Sequence, residues 1–478
     1  MASQTDTTVV LARLQFGGRL SLPRPRLATM RLAGWGALAI LIAAAFAVVL
    51  FATAQESNLV PRSSTVFPGW MSGPLHGLFG HLTNNTKTLD FGYSGVLLVM
   101  LAAYGVVVAS ARALSERVIW ACVCALLLIM LMSPPLQLTD LFNYLGYARL
   151  GALHHMNPYT HVIASASHDP VYRLSTWHNL TSPYGELFTA LSYPLAFLPL
   201  SVAYWTIKVT VVLAALAFVW VVSVCARKLD RDPRFVIAFV AFNPIFIIYA
   251  VGGFHNDFFM LLPSTGAIAL LLHRRDRAAG AALMIAVAVK FTAVILLPFL
   301  LMGARTRERC LRVLSGAVLA AIPLLVVSLA LFGFSLPNLS DQSTLLTDYS
   351  VPQVVGLVLG IGGGTPGLLR LADVLLAVLV VYLIWRRRQW VSSAGWATLG
   401  LIASLAWLMP WYVVWLLPLA ALGTSARLRR AAVVLTLFLM LSFLPVVWWY
   451  MQQHNIDPLR GSAGRTSEGL MRRLQRAP

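Results

Sequence analysis

The chain has 478 residues, of which 59% are hydrophobic and only 11% charged, with a mean hydropathy of +0.77. A soluble domain carries about 25% charged residues. This composition therefore excludes a soluble protein and points to an all-α polytopic membrane protein, since continuous apolar runs of roughly 20 residues cross a bilayer as helices. The net charge of +19 does not mark a nucleic-acid binder, because the basic residues stand in short clusters between apolar runs, as cytoplasmic anchors do.

The basic clusters set the topology. Residues 1–32, with Arg13, Arg19, Arg24, Arg26 and Arg31, lie inside. The first span covers about 33–54. Its apolar run exceeds a signal peptide's core of about 7–15 residues, so it reads as a retained span despite the "ATAQES" that follows. A loop rich in Pro, Gly, Ser and Asn (55–90) leads to spans at about 92–110 and 117–133. Next comes the longest polar loop, 134–186. The Pro-broken run 187–200 reads as a partial or re-entrant helix. If it crossed, "RKLDRDPR" (227–234) would fall on the wrong side.

A helix at 201–225 returns to the inside, followed by spans at 234–251 and 257–272 joined by "GGFHND". Residues 279–303 are flanked by "HRRDR" and "RTRER", so two short helices bent near Lys290 satisfy the charge pattern. Later spans fall at about 311–333, 370–385, 391–409, 411–423 and 430–450. The total is 11 to 13 helices, counting partial ones. The four cysteines, Cys122, Cys124, Cys225 and Cys310, form no CxxC pair and imply neither a disulfide framework nor a zinc site.

Asp140 is the first candidate for chemistry. Pro134 and Pro135 break the preceding helix, and Thr139 is placed to cap a new one, which puts Asp140 in its first turn. The positive helix end favours an ionised carboxylate there. Asn143, Tyr144 and Tyr147 share its face, and Leu141, Phe142 and Leu145 lie opposite. The spacing predicts an amphipathic helix at the membrane interface, ended by Pro158. A bare helix-terminus role for Asp140 is the competing reading.

"FHND" (254–257) sets an imidazole, an amide and a carboxylate between two spans, though such turns are commonly structural. Lys290, deep in "MIAVAVKFTAVILLPFLL", must be paired or face a cavity, where it suits a phosphate. "PWYVVWLLP" (410–418) places Trp411, Tyr412 and Trp415 near an interface, as an aromatic belt or a sugar-binding face. Asp373 is a further membrane carboxylate, read as lying near a span end. No motif calls for ATP or a dinucleotide, and the sequons at Asn84, Asn179 and Asn338 carry no assignment.

The order of these motifs resembles the integral-membrane GT-C glycosyltransferases that use polyprenyl-phosphate sugars. The nearest groups are the glycosyltransferase 87 family and the related actinobacterial alpha-mannosyltransferases. The likeness runs over about 130–420. It rests on "DLFNY" with Asp140 and Tyr144, "NPY" with Asn157 and Tyr159, and "PYG" with Pro183, Tyr184 and Gly185. It continues through "HND" with His255, Asn256 and Asp257, the "VKFT" segment with Lys290 and Thr292, and Pro410 to Pro418. The chain departs from the pattern in having two spans before the acidic loop, a single aspartate in place of a paired acidic motif, and Ala293 where a proline often stands.

The resemblance implies a GT-C-like transmembrane domain over 33–450, between the basic arm 1–32 and a basic tail 451–478. It implies an inverting transfer of a sugar, mannose above all, from a polyprenyl-phosphate donor to a glycolipid or glycan acceptor. The reaction would take place on the outer side of a bacterial plasma membrane, with membrane lipid around it. Asp140 would be the base. Lys290, His255, Asn256, Asp257, Arg149 and Tyr144 would bind the donor phosphate or sugar. Asn157, Tyr159, Tyr184, Trp411 and Tyr412 would line the pocket. No cofactor is called for; a divalent metal is compatible but not indicated. A transporter or flippase of lipid-linked sugars is the alternative, and it lacks the internal repeats expected of such proteins.

Overall fold

The computed structural model describes residues 27–53, 68–75, 78, 86–136, 140–335, 343–386 and 389–475. Thr139, singled out in the sequence, lies outside them. The described residues are helical, with no strand, and the chain is an all-α polytopic membrane protein. Among the described residues, five helices are long and apolar enough to span a membrane: Leu27–Thr53, Asp90–Ala113, Leu200–Lys228, Arg307–Phe332 and Pro366–Trp385. Two bent helix pairs bring the total to as many as seven.

In chain order the helices are α1 (Leu27–Thr53), α2 (Thr86–Ser110), α3 (Glu116–Met132), α4 (Asp140–Ala152), α5 (Glu186–Ser192) and α6 (Leu200–Lys228). They continue with α7 (Pro233–Ala241), α8 (Asp257–Leu272), α9 (Asp276–Val289), α10 (Leu297–Ala304), α11 (Arg307–Phe332) and α12 (Val351–Val358). The last are α13 (Pro366–Trp385), α14 (Trp390–Ser404), α15 (Val413–Leu422), α16 (Ala426–Ser442), α17 (Pro445–Gln453) and α18 (Ser462–Gln475).

Two faces of the bundle differ in chemistry. One gathers basic clusters on carboxylate staples: Arg227 on Glu116, Arg234 on Asp232, and Arg309 on Asp276 at 2.7 Å. Arg309 also donates to the Leu271 carbonyl, tying the α8–α9 turn to α11. The other face carries α4 and the loops around it. α6 runs from one face to the other, since Pro199 precedes it on the α4 side and Arg227 and Lys228 end it on the basic side.

The breaks follow local chemistry. α7 meets a π-helical turn, Ile245–Val251, at 52°. Pro244 cannot continue the hydrogen-bond ladder, and Asn243 Oδ1 takes the Ile245 N–H instead. Between α9 and α10 the chain is extended at Lys290, with φ −154° and ψ 113°, which breaks the helix there. The partial helix expected over 187–200 is α5 followed by the 3-10 turn Tyr193–Phe197.

α9 and α11 cross at close range because glycines stand at the crossing. A Cβ on Gly280 would strike the Val313 carbonyl, and one on Gly316 would strike that of Arg277. Small residues let backbones approach in this way within membranes. Gly280→Val should therefore push α9 from α11 and cost about 1–3 kcal/mol, read as a lower melting temperature in detergent. An unchanged melting temperature would contradict this packing.

α4 differs from its expectation in two respects. It ends at Ala152, before Pro158 is reached. It is also not an interface helix, because every residue from Leu141 to Ala148 is buried. Its apolar side packs into the bundle core and its polar side is covered by the loop 153–185. The segment set apart above as a C-terminal tail includes a folded helix on this same side. α18 buries Leu474 against Trp177, Leu180 and Leu345, and Ser467 Oγ accepts the Leu346 N–H at 2.7 Å.

Candidate functional site

Asp140 opens α4. Leu136, upstream in the chain, donates its N–H to the Gly252 carbonyl at 3.0 Å. The same bond brings the segment alongside the turn 252–256. Within this turn Phe254 takes φ 52°, a left-handed conformation unusual for a bulky residue. Gly253 beside it has no room for a side chain, since a Cβ would meet the Tyr249 carbonyl and the His255 ring. Such local strain persists only when the surroundings hold it, and here it aims His255 at α4. His255 Nδ1 lies 3.3 Å from Asp140 Oδ2. Its ring stacks on Trp411, with centroids 3.7 Å apart and planes at 13°. His255 is buried, while the Asp140 side chain keeps 16% of its exposure, toward a cavity.

The next two residues complete the turn. The Asn256 N–H donates to the Tyr144 hydroxyl at 3.1 Å. Asn256 Nδ2, on a residue 2% exposed, has no partner among the described residues. Asp257 Oδ1 accepts from Lys290 Nζ at 2.9 Å and from Trp415 Nε1 at 2.6 Å. Lys290 also lies over the rings of Tyr412 and Trp415, at 5.2 and 5.0 Å from their centroids. It is held at the helix break, where Thr292 Oγ1 is also buried without a partner.

Asp140, His255, Asn256, Asp257 and Lys290 all line one cavity of about 840 Å³, which Tyr184, Trp411 and Tyr412 also line. The cavity is thus lined by both a carboxylate, Asp140, and an ammonium, Lys290, with Asn256 and Thr292 also in its lining. Asp257 already offsets the Lys290 charge, so an arriving anion would find an ammonium that is oriented and partly neutralised.

Four of the sequence candidates stand outside the lining. Arg149 is about 2.5 turns beyond Asp140 and roughly half a rotation round the helix, so it points the other way. Its guanidinium grips Asp169 at 2.9 and 3.0 Å and the Ala196 carbonyl at 3.1 Å. Asn157 Nδ2 donates to the Phe332 carbonyl at 2.8 Å, fastening the loop to α11. Tyr159 donates to the Tyr184 carbonyl at 3.0 Å and contacts Thr189 Oγ1 at 2.9 Å. Tyr144 lies one layer behind the wall, edge-on to Tyr184 with centroids 4.8 Å apart. These four brace the site without facing the cavity.

Asp169 gives the loop a pH dependence. Burial pushes its carboxyl up, but hydrogen bonds from Arg149, His154 and the Val171 N–H outweigh that and hold it below the usual carboxylate range. A depressed folded-state value contributes stability above the ordinary value of about 3.9, and that stability is lost as pH falls through the folded value. Hydrogen exchange in 153–178 should therefore stay slow down to about pH 4 and quicken below it. Exchange that is independent of pH, once corrected for intrinsic rate, would contradict this.

Lys208 was not among the candidates. It is fully buried in α6, donates to the Ser133 carbonyl at 2.7 Å, and lies 3.7 Å from the Trp205 centroid. No carboxylate pairs with it among the described residues. It holds Ser133, the cap that ends α3. The available signal was the same as for Lys290, a lone lysine within an apolar run. Among the described residues no group of three or more His, Cys, Asp or Glu gathers as metal ligands.

Comparison with known proteins gives two family matches. The model described as alpha-(1->6)-mannopyranosyltransferase, N-terminal domain, matches residues 36–305, and the MptB C-terminal domain matches 347–461. Alpha-(1->6)-mannopyranosyltransferase A of Mycobacterium tuberculosis is 28% identical over 300 residues, covering 56% of this chain and 58% of the relative. The Corynebacterium glutamicum protein of the same description is 26% identical over 187 residues, covering 37% and 36%. A probable alpha-(1->6)-mannopyranosyltransferase of Mycolicibacterium smegmatis is 25% identical over 367 residues, covering 64% and 66%. The chain thus spans less than two thirds of each of these relatives. No solved structure matches significantly.

Proposed function

The chain belongs to the alpha-(1->6)-mannopyranosyltransferase family, and on that premise we propose that it moves a mannosyl group from a polyprenyl-phosphate donor to a hydroxyl of a glycan or glycolipid. The reaction takes place with inversion on the outer face of a bacterial plasma membrane. The observation that carries this reading is the pairing within one cavity of Asp140, beside His255, with Lys290, held by Asp257.

The roles follow from charge. Asp140 takes the proton of the acceptor hydroxyl as that oxygen bonds to the anomeric carbon. His255, fixed on Trp411, holds the carboxylate in place. The bond from the anomeric carbon to the phosphate oxygen breaks, and its electron pair leaves with the lipid phosphate. That leaving group is a stable anion and needs no general acid. Lys290 stabilises the charge gathering on it. The apolar wall formed by α9 and α11 suits the prenyl chain.

The direct test incubates membranes containing the chain with radiolabelled polyprenyl-phosphate-mannose and a panel of mannosyl acceptors. The reading predicts label in a lengthened acceptor. Label transferred only from a nucleotide sugar, or from no donor at all, would contradict it.

A further inference from the structure

The transfer chemistry leaves Asp373 without a role. α13, which carries it, has no buried residue in its most apolar stretch. Asp373 sits about two turns in from the start of that helix, farther from a span end than the sequence reading placed it. A carboxylate facing hydrocarbon is costly, and it is kept where it faces a polar cavity. No cation pairs with Asp373 among the described residues. Together with Leu369 it borders the same cavity that holds Asp140.

α11 also borders the cavity, through Leu324, Leu325 and Ser328. α11 packs on α9 and α5, whereas α13 packs on α14, so the two helices bound the cavity from different sides. α14, which packs on α13, ends at Ser404, and Trp407 follows it in the chain. Ser404, Trp407 and Trp177 also line the cavity, and the two tryptophans meet edge to face with centroids 5.7 Å apart.

We propose that this side of the cavity is a subsite for a neutral sugar headgroup, the acceptor. Its hydroxyls donate to Asp373, and its C–H face rests against Trp177 and Trp407. The assignment rests on the transfer reading above and adds the acceptor's position to it. Charge separates the two substrates. An anionic phosphate is repelled by Asp373 and attracted by Lys290, while an uncharged polyol gains strong hydrogen bonds from a carboxylate. Concave sites that use a few placed polar groups among aromatic walls are the usual form of such recognition.

The test uses the full chain in lipid nanodiscs with octyl alpha-mannoside as the acceptor probe. Binding is measured by calorimetry, and transfer is measured with polyprenyl-phosphate-mannose. Asp373→Asn preserves shape and sits on an exposed helix, so folding should be unaffected. It should weaken octyl mannoside binding and raise its KM about tenfold, as loss of a charged hydrogen-bond partner does. The donor KM and the slow hydrolysis of donor by water should not change. Trp407→Ala should act in the same direction. Acceptor binding unchanged in both variants, or a rise in donor KM alone, would overturn the proposal. A wild-type chain that binds octyl mannoside through Asp373 yet transfers no mannose would support the subsite and sink the transfer reading, so the two failures are separable.

Discussion

Asp140→Asn should lower kcat by about 10²–10⁴, the range that a positioned general base contributes, while donor binding stays within about twofold. The amide keeps the shape of the carboxylate but cannot accept the acceptor's proton at neutral pH. His255 cannot take over, because its Nδ1 faces Asp140 and its ring is fixed flat on Trp411. Asp140 is not part of the bundle's structural ion pairs, and its side chain retains access to the cavity. The loss should therefore appear in turnover, with no change in expression or melting temperature. Steady-state kinetics alongside donor binding by the purified variant separates these. A variant that loses stability and turnover together would mean that Asp140 only completes a helix end.

Lys290→Met should act on both stability and function. Asp257 is buried, and removing its ammonium partner leaves a carboxylate with the Trp415 N–H as its remaining side-chain donor. Breaking a buried ion pair in this way costs about 3–5 kcal/mol. Donor affinity should fall as well, since the cation that meets the phosphate is gone. The double variant Lys290→Met with Asp257→Asn separates the two effects. It removes the orphaned charge, so thermal stability should recover much of the loss, while donor affinity and turnover stay low. Recovery of turnover along with stability would show that Lys290 serves the fold alone.

Much of this was legible in the sequence because membranes make charge conspicuous. Lys290 stood alone in an apolar run, and both its pairing and the helix break around it follow from the cost of an ammonium in hydrocarbon. The start of α4 at Asp140 followed from the two prolines Pro134 and Pro135 that break the preceding helix, and the short, broken helix over 187–200 from its prolines.

The misses share one cause, which is packing between distant segments. Arg149 looked available until Asp169, twenty residues on, was seen to occupy it. Asn157 and Tyr159 carry polar groups suited to a sugar, yet Phe332 and Thr189 use them to fasten the loop. The helical spacing of α4 read as amphipathic. It did not reveal that the loop 153–185 and its bridge to α18 bury the polar face too. Lys208 gave the same signal as Lys290, a lone lysine within an apolar run, and it serves the packing of α6 on Ser133.

The most direct test of Asp140 as the base replaces the acceptor hydroxyl with a nucleophile that carries no proton. Azide attacks an anomeric carbon without a base. The Asp140→Asn chain, supplied with polyprenyl-phosphate-mannose and azide, should form mannosyl azide at a rate close to that of the native chain while remaining inactive toward mannosyl alcohols. An Asp140→Asn chain equally inactive toward azide, or one still active toward alcohols, would contradict the assignment of proton removal to this carboxylate.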